Sequence, residues 1–257
     1  MTGIEGLLLD LDGTVYLGRD LLPGSAEAID ALRTAAIPFL FTTNTSRMSR
    51  RDVTASLRSM GLTVRESEIF SAPVAAAGWL REQGIDRVHL LVSDSTLEDF
   101  AGFEIGATDP EAVLVGDLGA GFTFDRLNEA FRSLRRGARL VAIHRNRFWI
   151  TEGGPTLDAG PFVAALEYAS GQSAELVGKP SAAFFDTAAR LLNVPRAGLA
   201  VVGDDLESDV RGGRAAGLTT IQVRTGKYDA RRLEAAPIED RPHHLVASLA
   251  DVPALLG

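Results

Sequence analysis

"GLLLDLDGTVY" occupies residues 6–16, and its reading decides that of the whole chain. Leu7–Leu8–Leu9 is a continuous apolar run of the kind that fills a strand covered on both faces. The run ends on Asp10, and Asp12, Gly13 and Thr14 follow. Two carboxylates at the mouth of a buried strand repel each other and lose hydration. Such a pair is tolerable where a cation or a reaction makes use of it. Gly13 lets the chain turn tightly just beyond the strand.

Outward from this strand, short β-rich runs alternate with amphipathic stretches. That is the pattern of an α/β fold with a mainly parallel sheet. Strands are expected over 6–10, 38–44, 87–94, 111–117, 138–144, 198–205 and 219–226. Helices are expected over 25–35, 49–61, 124–137, 160–171 and 181–193. In the first helix Ser25 is the expected N-cap, with Ile29 and Leu32 facing inward. Ser49 and Asp52 stand at capping-box spacing in the second. No low-complexity segment, long repeat or Pro/Gly-rich linker marks a boundary.

The 257 residues suffice for one large domain or two ordinary ones. A net charge of −8 gives no electrostatic case for nucleic acid or an anionic membrane. The chain has no cysteine, which excludes disulfides, thiolate zinc sites and cysteine nucleophiles. His89, His144, His243 and His244 show no metal-ligand spacing. The N-terminal "MTGIEG" lacks the basic and apolar regions of a signal peptide, and no apolar run approaches the ~18 residues of a membrane span. Cytoplasm is the expected location.

Open parallel sheets bind ligands at the carboxyl ends of their strands. Four expected strand ends carry chemistry: Asp10 with Asp12, Thr43 with Asn44, Lys179 after "AELVG", and Asp204 with Asp205. If the strands are neighbours, these groups share one crevice. Clustered carboxylates without cysteine or a histidine cluster favour magnesium over zinc. Lys179 adds positive charge, and Thr43 and Asn44 add hydrogen-bond donors, which suits a phosphate group. Asp10, at the strand tip, is placed to act as a nucleophile. Asp12 is placed to give a proton to the leaving oxygen and later take one from water.

Each feature also has an ordinary explanation. An Asp pair caps loops and helices, a lysine before Pro180 sits in exposed turns, and Thr43 and Asn44 serve as backbone caps. The four together, in one order, weigh against those explanations. Asp205 and Asp209 stay open between structural roles and direct chemistry. Asp117 in "VLVGDLGAG" (113–121) ends an expected strand but has its next acid, Asp125, eight residues on, and Asp94 in "LLVSDSTLED" (90–99) has Asp99 five on but Ser93 in place of the glycine; both read as structural. Arg132, Arg135, Arg136 and Arg139 read as a solvated helix end, and His243–His244 as surface loop.

These residues resemble the haloacid-dehalogenase-like superfamily of phosphotransferases. "DLDGT" (10–14) matches its first motif, Thr43 its second, Lys179 in "VGKP" its third, and "GDDLESD" (203–209) its fourth. The resemblance is closer still to the para-nitrophenyl-phosphatase-like subclass, the NagD-like group with a C2-type cap. "FTTNTSRMS", "GPFVAALEYASG", "VGKPSAAFF" and "VRTGKY" are similar to segments of members near phospholysine/phosphohistidine/inorganic pyrophosphate phosphatase. The resemblance implies a Rossmann-like core over 1–78 and 178–257 with an inserted α/β cap over 79–177. It implies a magnesium-dependent phosphatase acting on a small phosphorylated compound through an aspartyl-phosphate.

Carried over, Asp10 is nucleophile and metal ligand. Asp12 is the general acid/base and offers its carbonyl to the metal. Thr43 and Asn44 contact the phosphoryl group, Lys179 screens charge there, Asp204 is a metal ligand, and Asp209 orients that shell. Asp205 either shares the role of Asp204 or faces solvent. Selectivity is expected from the cap, with 144–160 as lining and Arg145, Arg147, Trp149 and Asp158 as contacts. Capped members often form homodimers through their caps, an expectation that carries over here. A phosphomutase or phosphotransferase with the same intermediate, a catalytically quiet phospho-ligand module and a receiver-like phospho-acceptor are the alternatives.

Overall fold

The computed structural model describes residues 3–151 and 153–256. The N-terminal "MTGIEG" and the expected lining 144–160 therefore lie partly outside the described residues. The chain forms two compact units. The first comprises Met1–Thr43, Val53–Phe70 and Lys179–Gly257, and the second Asn44–Asp52 and Ser71–Gly178.

The first unit is built on a six-stranded sheet. Its order is His244–Val246, Thr219–Val223, Leu199–Gly203, Gly6–Asp10, Phe39–Thr43, Ile69–Ser71. Gly6–Asp10 lies in the interior and is buried throughout. Leu7, Leu8 and Leu9 are each 0% exposed, worth about 1.5–3 kcal/mol apiece as an upper bound. This is the strand that the unbroken apolar run predicts. It pairs in parallel with both neighbours, Leu9 opposite Val202 and Phe41, and Asp10 opposite Thr42. That register brings the ends of Gly6–Asp10, Phe39–Thr43 and Leu199–Gly203 to the same edge of the sheet.

Helix Ala182–Leu192 buries Phe184 and Phe185, and Phe184 lies 4.7 Å from the ring of Phe70. Its N-cap Ser181 accepts from the Phe184 N–H. Ser25, by contrast, is not an N-cap. Helix Ser25–Thr34 begins after Gly24, and Ser25 is its buried first residue, while Ile29 and Leu32 face the core as expected. His244 opens an edge strand of the sheet rather than a surface loop, and His243 Nδ1 accepts from the Thr220 N–H at 3.0 Å.

The second unit has its own five-stranded parallel sheet, ordered Glu175–Leu176, Arg139–Ala142, Ala112–Val115, Arg87–Leu91, Glu104–Ile105. Helix Ala72–Glu82 packs Ala72, Ala76, Ala77 and Leu80 against Val88, Leu114, Val141 and Ile143. Segment 44–52 joins the same unit because Ser46 Oγ accepts from the Asp117 N–H and Asp99 accepts from the Arg50 N–H. Glu175–Leu176 thus lies in this sheet, so Lys179 does not follow a strand of the first sheet. Among the described residues no helix is long and apolar enough to cross a membrane.

Candidate active site

Three neighbouring strands of the first sheet deliver acids or a hydroxyl to one edge. Asp10 closes its strand and is 7% exposed, Thr43 closes the next at 5%, and Asp204 directly follows Gly203 at 1%. Lys179, 3% exposed, enters from the chain returning out of the second unit. Its Nζ donates to Asp10 Oδ1 at 2.5 Å and to Asp209 Oδ1 at 2.7 Å. Asp209 reaches this point because the chain turns back after Gly203, and a Cβ at Gly203 would strike the Asp209 carboxyl. Its other oxygen accepts from the Asp205 N–H at 3.3 Å.

One carboxylate oxygen from each of Asp10, Asp204 and Asp209 lies within 4.8 Å of the others. Lys179 alone does not compensate this charge. Burial raises the pKa of Asp10 despite the adjacent ammonium. Burial, with Asp10 nearby, pushes Asp204 up to about 7. Burial also pushes Asp209 up to about 7, against the pull of Lys179. For Lys179, burial acts against the ammonium, yet Asp10 and Asp209 hold its pKa above the ordinary lysine value. A cluster that resists full ionisation on its own is one that a further cation would complete. The donors are hard carboxylate oxygens, a set that fits magnesium.

Asp12 differs from Asp10 in being exposed. The surrounding loops still desolvate it enough to raise its pKa, with Lys227 opposing. Its loop is closed by the Gly13 N–H donating to the Tyr16 carbonyl at 2.7 Å. Asp205 is not one of the three clustered carboxylates. Its Oδ1 caps the following turn, accepting from the N–H of Glu207 at 2.8 Å and of Ser208 at 3.2 Å. Its Oδ2 meets Lys227 Nζ at 3.3 Å.

The first unit therefore brings together Asp10, Asp12, Thr43, Lys179, Asp204 and Asp209. Asn44 is the first residue of the second unit. Of the expected cap contacts, Arg145 forms a bidentate pair with Glu167 at 2.7 Å. Asp158 caps helix Ala159–Ser170. Trp149 lies under the Arg47 guanidinium at 3.4 Å, and Arg47 is ion-paired with Asp117. Asp117 is engaged by Ser46 and Arg47 within the second unit, in keeping with a structural reading. Of the basic cluster, Arg139 pairs with Glu175 and covers the Trp79 ring.

Sequence reasoning missed one segment of the site, Thr225–Gly226–Lys227. Thr225 Oγ1 donates to the Gly13 carbonyl at 2.5 Å, and the Lys227 N–H donates to Asp204 Oδ2 at 2.6 Å. The signal was present in "VRTGKY", directly beyond a parallel strand. A strand expected over 219–226 absorbed it, whereas the strand ends at Val223.

Residues 7–106 match the family model described as haloacid dehalogenase-like hydrolase, and residues 176–252 match the HAD-hydrolase-like model. The chain is 40% identical over 227 residues to haloacid dehalogenase-like hydrolase domain-containing protein 2 of Rattus norvegicus, spanning 88% of this chain and 86% of that protein. It is 36% identical to phospholysine phosphohistidine inorganic pyrophosphate phosphatase of Bos taurus, spanning 89% and 86%. The solved 4-nitrophenylphosphatase of Thermotoga maritima superposes with a TM-score of 0.91 at 32% identity, spanning 98% of this chain and 97% of that one.

Proposed function

The chain belongs to the haloacid dehalogenase-like hydrolase family and is a phosphatase, and from that premise we propose how it works. It hydrolyses a small phosphorylated compound, with magnesium, through an aspartyl-phosphate on Asp10. The observation that carries this reading is the placement of Asp10. It ends a fully buried strand, is held by Lys179, and lies within 4.8 Å of Asp204 and Asp209.

Asp10 and Asp204, with the main-chain carbonyl of Asp12, would hold the metal. When bound, magnesium supplies positive charge that offsets the carboxylates and the phosphoryl oxygens. An Asp10 carboxylate oxygen attacks phosphorus, and the bond from phosphorus to the leaving oxygen breaks as the new one forms. Asp12 gives its proton to that leaving oxygen, a role suited to an exposed acid with a raised pKa. Water then attacks the same phosphorus and passes its proton to Asp12. Phosphate departs, and the Asp10 carboxylate and the Asp12 acid are restored. Lys179 balances charge on Asp10 throughout, and Asp209 anchors Lys179. Thr43, which closes the strand beside Asp10, contacts the phosphoryl group.

The test is phosphate release from a panel containing 4-nitrophenyl phosphate, pyrophosphate and phosphohistidine, compounds for which relatives are named. Release is expected with magnesium, to fall to background in chelator, and to return when magnesium is restored. Turnover unchanged in chelator would reject the metal-dependent reading.

A further inference from the structure

Lys227 is a second ammonium beside this site, and the mechanism above does not use it. Its backbone is fixed, because the Lys227 N–H is bonded to Asp204 Oδ2 and Thr225 Oγ1 to the Gly13 carbonyl. Gly226 packs so closely on Gly13 that a Cβ at Gly226 would sit 2.5 Å from the Gly13 Cα. The segment is therefore locked to the loop that carries Asp12. The side chain is steered by Asp205, whose Oδ2 lies 3.3 Å from Nζ.

As a surface ion pair alone this contact would be worth little, because the Lys227 side chain is 64% exposed. Its surroundings say more. Five carboxylates, Asp10, Asp12, Asp204, Asp205 and Asp209, share the region with two ammoniums, Lys179 and Lys227. Lys179 is 2% exposed in its side chain and spent on Asp10 and Asp209. Lys227 is the one of the two that solvent, and hence a substrate, can reach. A lysine side chain this exposed is an ammonium at neutral pH.

We propose that Lys227 is a substrate-binding residue that receives a negative charge on the leaving group, so that this phosphatase favours compounds whose leaving group is itself anionic. The proposal rests on the phosphatase reading and extends it to a substrate class. Asp205 is the positioning residue: it caps the turn with one oxygen and aims Lys227 with the other.

The experiment compares the natural protein with Lys227→Met and Lys227→Arg. Each is assayed with magnesium on phenyl phosphate, whose leaving group carries no further charge, and on inorganic pyrophosphate, whose leaving group does. Lys227→Met is expected to lose about ten- to hundredfold in kcat/KM on pyrophosphate, mainly through KM, the effect of one charge-assisted contact. On phenyl phosphate the loss should be several-fold smaller, since that leaving group offers the ammonium no anionic partner, and the ratio between the two substrates is the readout. Lys227→Arg should keep the preference. Magnesium affinity, measured by calorimetry, should be retained or tightened in Lys227→Met, because the N–H on Asp204 remains and a competing positive charge is gone.

Equal losses on both substrates, no loss on either, or no cleavage of pyrophosphate by the natural protein would each overturn the proposal. So would lost magnesium binding in Lys227→Met, which would assign the residue to holding Asp204. Failure of the natural protein on every phosphorylated compound would instead sink the phosphatase reading itself.

Discussion

Asp10 and Asp12 are separated only by Leu11 and meet different surroundings. Asp10 is buried against Lys179, whereas Asp12 is exposed at the rim. Their separate tasks follow from that difference. The buried core of the site is a charge cluster in which Lys179 serves two carboxylates. Lys179→Met would leave Asp10 and Asp209 without their ammonium, which costs about 3–5 kcal/mol for a buried pair. The cost should depend on pH in a definite sense. Carboxyls whose folded pKa is raised bind more protons folded than unfolded, so their contribution is lost as pH rises. In chelator, Lys179→Met should therefore be most destabilised at pH 8 and recover toward pH 5. The contribution falls between the ordinary carboxyl value of 3.8 and the raised value of about 7 at Asp209, so pH 5 lies inside that interval and pH 8 above it. Denaturant unfolding at the two pH values measures this, and a loss independent of pH would contradict it. Asp10, Lys179 and Asp204 were legible because each follows an apolar run or sits in a short, specific motif. Lys227 was not, because nothing in a strand-and-turn pattern says that its N–H meets a carboxylate 23 residues away.

The site works because elements end at the right places. Asp10 and Asp204 reach one edge through the register of one parallel strand pair, and the loop after Thr219–Val223 closes over Asp204. Gly226 makes that closure possible: its φ is +56, and a Cβ would collide with Asp204 Oδ2. Gly226→Ala should cost about 1–2 kcal/mol for the left-handed backbone and should also weaken magnesium binding by displacing Asp204. Gly217→Ala is the control, with φ +77 and nothing within 4 Å of an added Cβ. It should show the stability cost with magnesium affinity intact. Calorimetric titration with magnesium distinguishes the two, and unchanged affinity in Gly226→Ala would remove the loop from the site. Long amphipathic helices such as Phe124–Arg135 were legible from periodicity. Helix Ala72–Glu82 was not, since its alanine-rich sequence offers little contrast between faces. The hairpin of Phe148–Thr151 and Gly154–Leu157 was likewise missed, as each of its strands is only four residues long.

At the scale of the whole molecule, the proposed chemistry is assembled from distant parts of the chain. Asp10 and Lys179 are 169 residues apart, and Asp209 lies a further 30 beyond Lys179. The α/β class and the order of the motifs were readable because both are local patterns repeated along the chain. The packing of 44–52 and 72–82 with the second unit was not, because side-chain contacts such as Ser46 to Asp117 decide it. The separated motifs serve one claim, that Asp10 carries the phosphoryl group. The most direct test is an acid-quenched single turnover with magnesium and a substrate labelled in its phosphoryl group, followed by peptide mapping. The account predicts transient label on Asp10, released by hydroxylamine as an acyl-phosphate is, and absent from Asp10→Asn. Phosphate release with no label on the protein at any time, or label on another residue, would contradict it.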